Sequence, residues 1–355
     1  MGAQAAMATQ INALIEDWDN PAVERAIFGT VDPAQIAERV DAFCGEYLGS
    51  GIADALFYRS SIGSVFGLEL EDTRRVVVKV HQPSYPAGYL AAIQRVTRHL
   101  AARGFPCPSP ILVPTPLGFG NATAEAYVAD GEYRNAHEPE VRHALAGALW
   151  QQIDLARGFV HEPGITELQE RHRVSPDRLW GKPHSVSFDF EATAAGAEWI
   201  DEIGWRAKQM LAEPAGQVVV GHCDWATKHF RFVDGAIHVV YDWDSLRVEP
   251  ETETAGRAAQ SFTAVYDTPL DGKVPHTPVL EEVLAFVAEY ELARGVMFTP
   301  AERRTVGAAC AYNMAYSARC SHALNPRPDR DVDLRRHALA SYGERLLLWG
   351  DAPRE

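Results

Sequence analysis

Gly221-His222-Cys223-Asp224-Trp225-Ala226-Thr227-Lys228-His229, with Tyr241-Asp242-Trp243-Asp244 after it, carries more chemistry than any other part of this chain. Around it, Gln217–Gly221, His229–Val233 and Ala236–Tyr241 read as short strands separated by turns. A carboxylate at Asp224 would therefore sit on a loop between strands, where a substrate hydroxyl can hydrogen-bond to it. Asp242 follows 18 residues later, just past a hairpin, a position suited to holding a metal ion. Phosphoryl transfer uses such a pair, one group to orient the attacking hydroxyl and one to hold Mg²⁺ against the phosphate charge. Taken singly, His222-x-Asp224 and Asp242-x-Asp244 are equally ordinary turn and capping groups, because Asp is common in turns.

Working outward, Arg75-Val76-Val77-Val78-Lys79-Val80 reads as an apolar strand carrying a lysine near its end. A lysine there can reach nucleotide phosphates; alone, it is also a solvated strand end. The preceding hairpin, Ser60-Ser61-Ile62-Gly63-Ser64, offers hydroxyls and backbone N–H groups to a phosphate, or is a plain β-turn. Residues 86–103 return to helical spacing, with Leu90, Ile93, Val96 and Leu100 on one side and Gly104 as the stop. Prolines at 106, 108, 110, 114 and 116 predict an extended linker leading into a strand at 123–129. Before residue 54 the pattern is helical, with Asp32-Pro33 as a cap and first-turn proline. After Asp130-Gly131 it is again mostly helical, near 138–157, 189–212, 278–294, 300–320 and 334–349. The organisation expected is a helical extension (1–53), a β-rich lobe with hinge (54–130) and a larger helical lobe containing one β-insert (131–355).

In this order of motifs the sequence resembles the aminoglycoside phosphotransferase-like family of small-molecule kinases, over roughly residues 55–350 and most specifically at Gly221–Asp244. The resemblance implies an α+β, protein-kinase-like fold, with a small antiparallel N-lobe and a large helical C-lobe. It implies transfer of the γ-phosphate of ATP or GTP to a hydroxyl of an antibiotic, amino alcohol, sugar or nucleoside. Asp224 would be the catalytic base and His222 would hold its loop. Asp242 would bind Mg²⁺ (or Mn²⁺), with Asp244 and His229 as further candidates for the metal shell. Lys79, with Ser61, Gly63 and Ser64, would meet phosphates, and the base would bond to backbone near Tyr127, Val128 and Asp130. Two departures stand out. The position five residues after the base is normally Asn and is His229 here. The helix glutamate that normally pairs with the strand lysine is missing, Gln94 being the nearest polar residue in phase. These departures motivate a second reading, a nucleotide-binding pseudokinase. A third is a metal-dependent hydrolase built on Asp224, His229, Asp242 and Asp244.

Composition narrows the partners. With 33 Lys and Arg against 48 Asp and Glu, the formal charge is −15, which repels nucleic acid and anionic lipid. Five scattered cysteines fit a reducing compartment rather than a disulfide framework. His161, His172 and His184 are too widely spaced for a zinc motif. Residues 1–10 carry neither Lys nor Arg nor a sustained apolar core, so no signal peptide is expected, and no apolar run of about 20 residues predicts a membrane span. A cytoplasmic enzyme is the expectation; its oligomeric state is left open.

Overall fold

Lys79 lies near the end of a valine-rich strand in the middle of a five-stranded antiparallel sheet. The computed structural model describes residues 2–17, 21–183, 188–324 and 334–351. The chain contains two units, the first made of residues 1–102, 107–129 and 163–170 and the second of 103–106, 130–162 and 171–355. No described helix is long and apolar enough to cross a membrane.

In the first unit, helices α1 (Ala3–Asp17), α2 (Ala22–Phe28) and α3 (Pro33–Phe43) precede strands β1 (Ile52–Ser60), β2 (Ser64–Leu70) and β3 (Arg75–His81). Helix α4 (Ala87–Ala102) follows, then β4 (Pro110–Leu117) and β5 (Gly120–Ala126), giving the sheet order β1-β2-β3-β5-β4. The Asp32 carboxylate caps α3 by accepting from the Ala34 N–H at 2.9 Å, with Pro33 in the first turn, as the sequence predicts. Alternation along β3 puts Val76, Val78 and Val80 on one face, where they share a core with Phe66, Leu68, Ile27, Phe28, Ile36 and Val40 from β2, α2 and α3. Burying these side chains supplies the stability of the unit, at about 1.5–3 kcal/mol for each large one. Val77 and Lys79 point to the opposite face.

Of the stretch expected to be an extended linker, Pro106 and Pro108 lie outside any strand, while Pro110, Pro114 and Pro116 lie in β4, paired antiparallel with β5 through two register irregularities. Strand β4 is an edge strand, and prolines are tolerated there because an edge leaves backbone N–H groups unpaired.

The short α6 (Glu167–Arg171) belongs to the first unit but for its last residue, and the second unit contains α5 (Pro139–Ala156), α7 (Glu198–Met210), α8 (Glu251–Ser261), α9 (Leu280–Arg294), α10 (Pro300–Leu324) and α11 (Leu334–Leu347). Two ribbons cross it: β6 (Val218–His222) with β9 (Leu246–Pro250), and β7 (Phe230–Val233) with β8 (Ala236–Val240). The helix expected from residue 189 begins only at 198. The Asp189 carboxylate accepts from the Glu191 and Ala192 N–H groups and Gly196 adopts φ 81°, so residues 189–197 form turns. Helix α8 has no counterpart in the expected elements, since Glu251-Thr252-Glu253-Thr254 reads as polar, yet Thr252 and Thr254 are fully buried there.

Candidate active site

Strand β6 ends at His222, whose partner across the ribbon is Leu246, and the chain then leaves the ladder as a loop. His222 is wedged between two buried indoles, Trp225 and Trp243, whose ring centroids lie 5.3 and 5.2 Å from its own. Both indole N–H groups are satisfied by backbone, Trp225 on the Leu145 carbonyl at 3.0 Å and Trp243 on the Val240 carbonyl at 2.8 Å. Both indoles therefore pack under the loop.

The imidazole joins two segments. Its Nδ1 accepts the Asp224 backbone N–H at 3.3 Å, so its Nε2 carries the proton and donates to the Tyr241 carbonyl at 3.1 Å. One ring thus ties the loop before Asp224 to the residue before Asp242. Burial, and secondarily His229, push the His222 pKa down to about 4, which keeps the ring neutral in this role. Gln152 of α5 fixes the strand beneath, its amide donating to the Val220 carbonyl and accepting from the His222 N–H.

Asp224 faces Lys228 and His229. The Nζ of Lys228 is 2.9 Å and the Nε2 of His229 is 2.8 Å from the same oxygen, Oδ2. Burial alone would raise the Asp224 pKa, but His229 and Lys228 outweigh it and hold the carboxyl well below its ordinary value. Lys228 balances burial against Asp224, with lesser help from Asp242 and Asp267, and stays above its usual pKa.

Asp242 has φ 69° and ψ 46°, a left-handed conformation uncommon for a residue with a Cβ, and it leads into a 3₁₀ turn at 243–245. Its Oδ2 lies 3.5 Å from His229 Nε2. Asp224, His229 and Asp242 each present a ligand atom within 4.8 Å of the others, the only such cluster among the described residues. Two carboxylate oxygens suit Mg²⁺, whereas the imidazole nitrogen is a ligand that Mn²⁺ accepts more readily. Asp244, in the 3₁₀ turn, is outside the cluster. Cys223 adjoins Asp224 but its thiol donates to Gly221 and Glu249, and burial first, then Glu249, raise its pKa, as expected of a structural thiol.

The remaining candidates lie in the first unit or at its boundary. The β1–β2 turn at 61–63 is closed by the Ser60–Ser64 pair and by Ser61 N–H to the Gly63 carbonyl at 3.2 Å. A Cβ at Gly63 would stand 2.9 Å from the Val80 carbonyl, so the turn lies against the end of β3 and only glycine fits. Ser64 is fully buried, its hydroxyl 3.3 Å from that of Tyr58, which in turn donates to Glu24. Its side chain belongs to that interior network, so the phosphate contact expected of the Ser64 hydroxyl has no room to form, and its backbone alone remains for that purpose. Tyr127 donates its N–H to the Arg75 carbonyl and packs its ring near Phe57. Val128 follows it in the first unit, while Asp130, at φ 71° beside Gly131 at 89°, opens the second.

Lys79 Nζ stands 3.4 Å from Glu125 Oε1 on β5. Sequence reasoning missed both Glu125 and the Lys228 contact. The second had no helical signal, since Ala226 is extended and the 3₁₀ turn covers only 227–229, so the path of the loop brings Lys228 to Asp224. The first had none, because a cross-strand partner is set by register.

Residues 59–274, more than half of the chain, match the profile of the phosphotransferase enzyme family (APH). No curated protein matches the chain. Among solved structures, amicoumacin kinase hAmiN, in complex with AMP-PNP, Ca²⁺ and Ami, is similar with a TM-score of 0.53 at 11% identity, covering 82% of this chain and 87% of that one. An aminoglycoside phosphotransferase from Alicyclobacillus acidocaldarius gives a TM-score of 0.50 at 12% identity, over 86% and 95% of the two chains. At such identities the likeness is one of fold, and it bears out the expected mixed α+β, protein-kinase-like architecture. The family rests on the profile match: the chain belongs to the phosphotransferase enzyme family.

Proposed function

We propose that this chain transfers the γ-phosphoryl group of ATP or GTP to a hydroxyl of a small molecule. The observation that carries this reading is the convergence of Asp224 and Asp242 on His229, with His222 tying their two segments together. The acceptor oxygen attacks phosphorus in line, the bond from phosphorus to the β–γ bridging oxygen breaks, and the nucleoside diphosphate leaves. The hydroxyl proton passes to Asp224. A carboxyl held so far below its usual pKa is a weak base, so its larger contribution is to orient the hydroxyl. Asp242 would hold a divalent cation, Mg²⁺ or else Mn²⁺, which when bound neutralises phosphate charge. Lys79 and Lys228 add cationic side chains for the phosphates. His222 and Ser61, Gly63, Tyr127, Val128 and Asp130 serve through their positions, the first by fixing the loop and the others by offering backbone to the nucleotide.

Amicoumacin kinase hAmiN, in complex with AMP-PNP, Ca²⁺ and Ami, supports use of a nucleotide and a divalent cation, and an antibiotic is the first acceptor class to test. Amino alcohols, sugars and nucleosides remain the alternatives. A nucleotide-binding protein without transfer activity is the second reading, favoured by the occupation of Asp224 Oδ2 by Lys228 and His229 at once.

Screening acceptor libraries for nucleotide consumption, with the wild-type chain and Asp224→Asn, separates the two. The variant should lose roughly 10²–10⁴ in rate and keep nucleotide affinity within a few-fold. Turnover by Asp224→Asn equal to wild type overturns the assignment of this loop; binding without turnover of any acceptor favours the second reading.

A further inference from the structure

We propose that Glu125, on strand β5, is the positioning carboxylate of Lys79, filling the role for which helix α4 supplies no acid. This rests on the reading of Lys79 as a phosphate-binding cation. Helix α4 contains no Asp or Glu. Its polar residue in phase, Gln94, is committed elsewhere: the amide Nε2 donates to the Leu112 carbonyl on β4 at 2.6 Å, and its Oε1 is buried without a hydrogen bond. A carboxylate on the sheet itself lies beside this ammonium.

Register delivers it. Across the β3–β5 ladder Lys79 pairs with Thr123 and Val77 with Glu125, so Glu125 is the diagonal neighbour of Lys79 on the same face. Lys79 Nζ and Glu125 Oε1 are 3.4 Å apart, with side chains only 13% and 15% exposed. Enclosing both charges carries a desolvation cost, and losing one partner would leave the other charge stranded. The contact is nevertheless poorly aligned, because Glu125 Oε1 makes no hydrogen bond. Glu125 thus draws the ammonium by charge toward its own side of the sheet face. A charge partner fixed by strand register suits a lysine that has to be placed before phosphate arrives.

The test is nucleotide binding by the full chain, which needs no acceptor. Titrate non-hydrolysable analogues of ATP and GTP with Mg²⁺ into wild type, Glu125→Gln, Glu125→Asp, Lys79→Met and the double variant Glu125→Gln/Lys79→Met. Glu125→Gln should weaken binding about tenfold, and Glu125→Asp, which keeps the charge, less than that. In the Lys79→Met background the Glu125→Gln substitution should cost nothing further, because the group it acts through is gone. Full affinity in Glu125→Gln, or losses that simply multiply in the double variant, overturns the inference while leaving the phosphotransfer reading intact. Failure of wild type to bind either analogue overturns both. Should Glu125→Gln fail to fold by circular dichroism, the comparison of Glu125→Asp with and without Lys79→Met decides on the same criterion.

Discussion

Asp242 should be held in its left-handed conformation by the fold at a cost that glycine would not incur. At φ 69° and ψ 46° an L-residue with a Cβ crowds the following carbonyl, which costs roughly 1–2 kcal/mol for alanine. Glycine escapes this but loses about 0.4–1 kcal/mol through the greater freedom of its unfolded chain. The balance at position 242 is a preference for Gly over Ala of about 0.5–1 kcal/mol. At Ala288, exposed in the middle of α9, the same comparison has the opposite sign, glycine being worse by about 1 kcal/mol. Both variants at 242 remove the same carboxylate from the same neighbours, so their difference isolates the backbone. Urea unfolding of Asp242→Gly, Asp242→Ala and Ala288→Gly, followed by tryptophan fluorescence, measures it, with a swing between the two sites of about 1.5–2 kcal/mol expected. Alanine more stable than glycine at 242, by the margin seen at 288, would refute the strain argument. Both 242 variants should lose transfer activity whichever is the more stable, which is the pattern of a site that trades stability for function.

His222 and Glu253 should tilt stability against pH in opposite directions. Burial holds His222 near 4 against 6.5 in an open chain, so the unfolded state binds the extra proton and stability falls as pH drops from 6.5 toward 4. Burial, and then Glu249, raise Glu253 to about 7 from 4.5, so the folded state keeps a proton that the unfolded chain has released, and stability falls as pH rises through that window. Urea midpoints between pH 4.5 and 7 should therefore climb more steeply with pH in Glu253→Gln than in wild type, and less steeply in His222→Asn; parallel curves would discard both assignments. His229→Ala should lower transfer about 10–100-fold, because the group bridging Asp224 and Asp242 is gone, while His229→Asn should retain most of it in Mg²⁺. Activity of His229→Ala indistinguishable from wild type in both Mg²⁺ and Mn²⁺ would remove His229 from the site altogether.

Local rules carried much of this protein. The Asp32-Pro33 cap, the apolar spacing of α4 and the alternating valines of β3 are written within a dozen residues each, because capping, helical period and strand pleat are short-range effects. Asp224 and Asp242 were legible for the same reason, each in a short polar turn closing an apolar strand. Other features depended on partners distant in sequence. Prolines that disfavour a central strand became β4 because β5 offered an edge, and the polar Glu251–Ser261 became a helix because its threonines and alanines met buried surface. Ser64 turned inward because β1 brought Tyr58 beside it. Glu125 reached Lys79 only because the β3–β5 register set them diagonally, 46 residues apart in sequence. Periodicity tells which residues share a face of one element; the pairing of elements decides which faces meet, and with them the charges that the site combines.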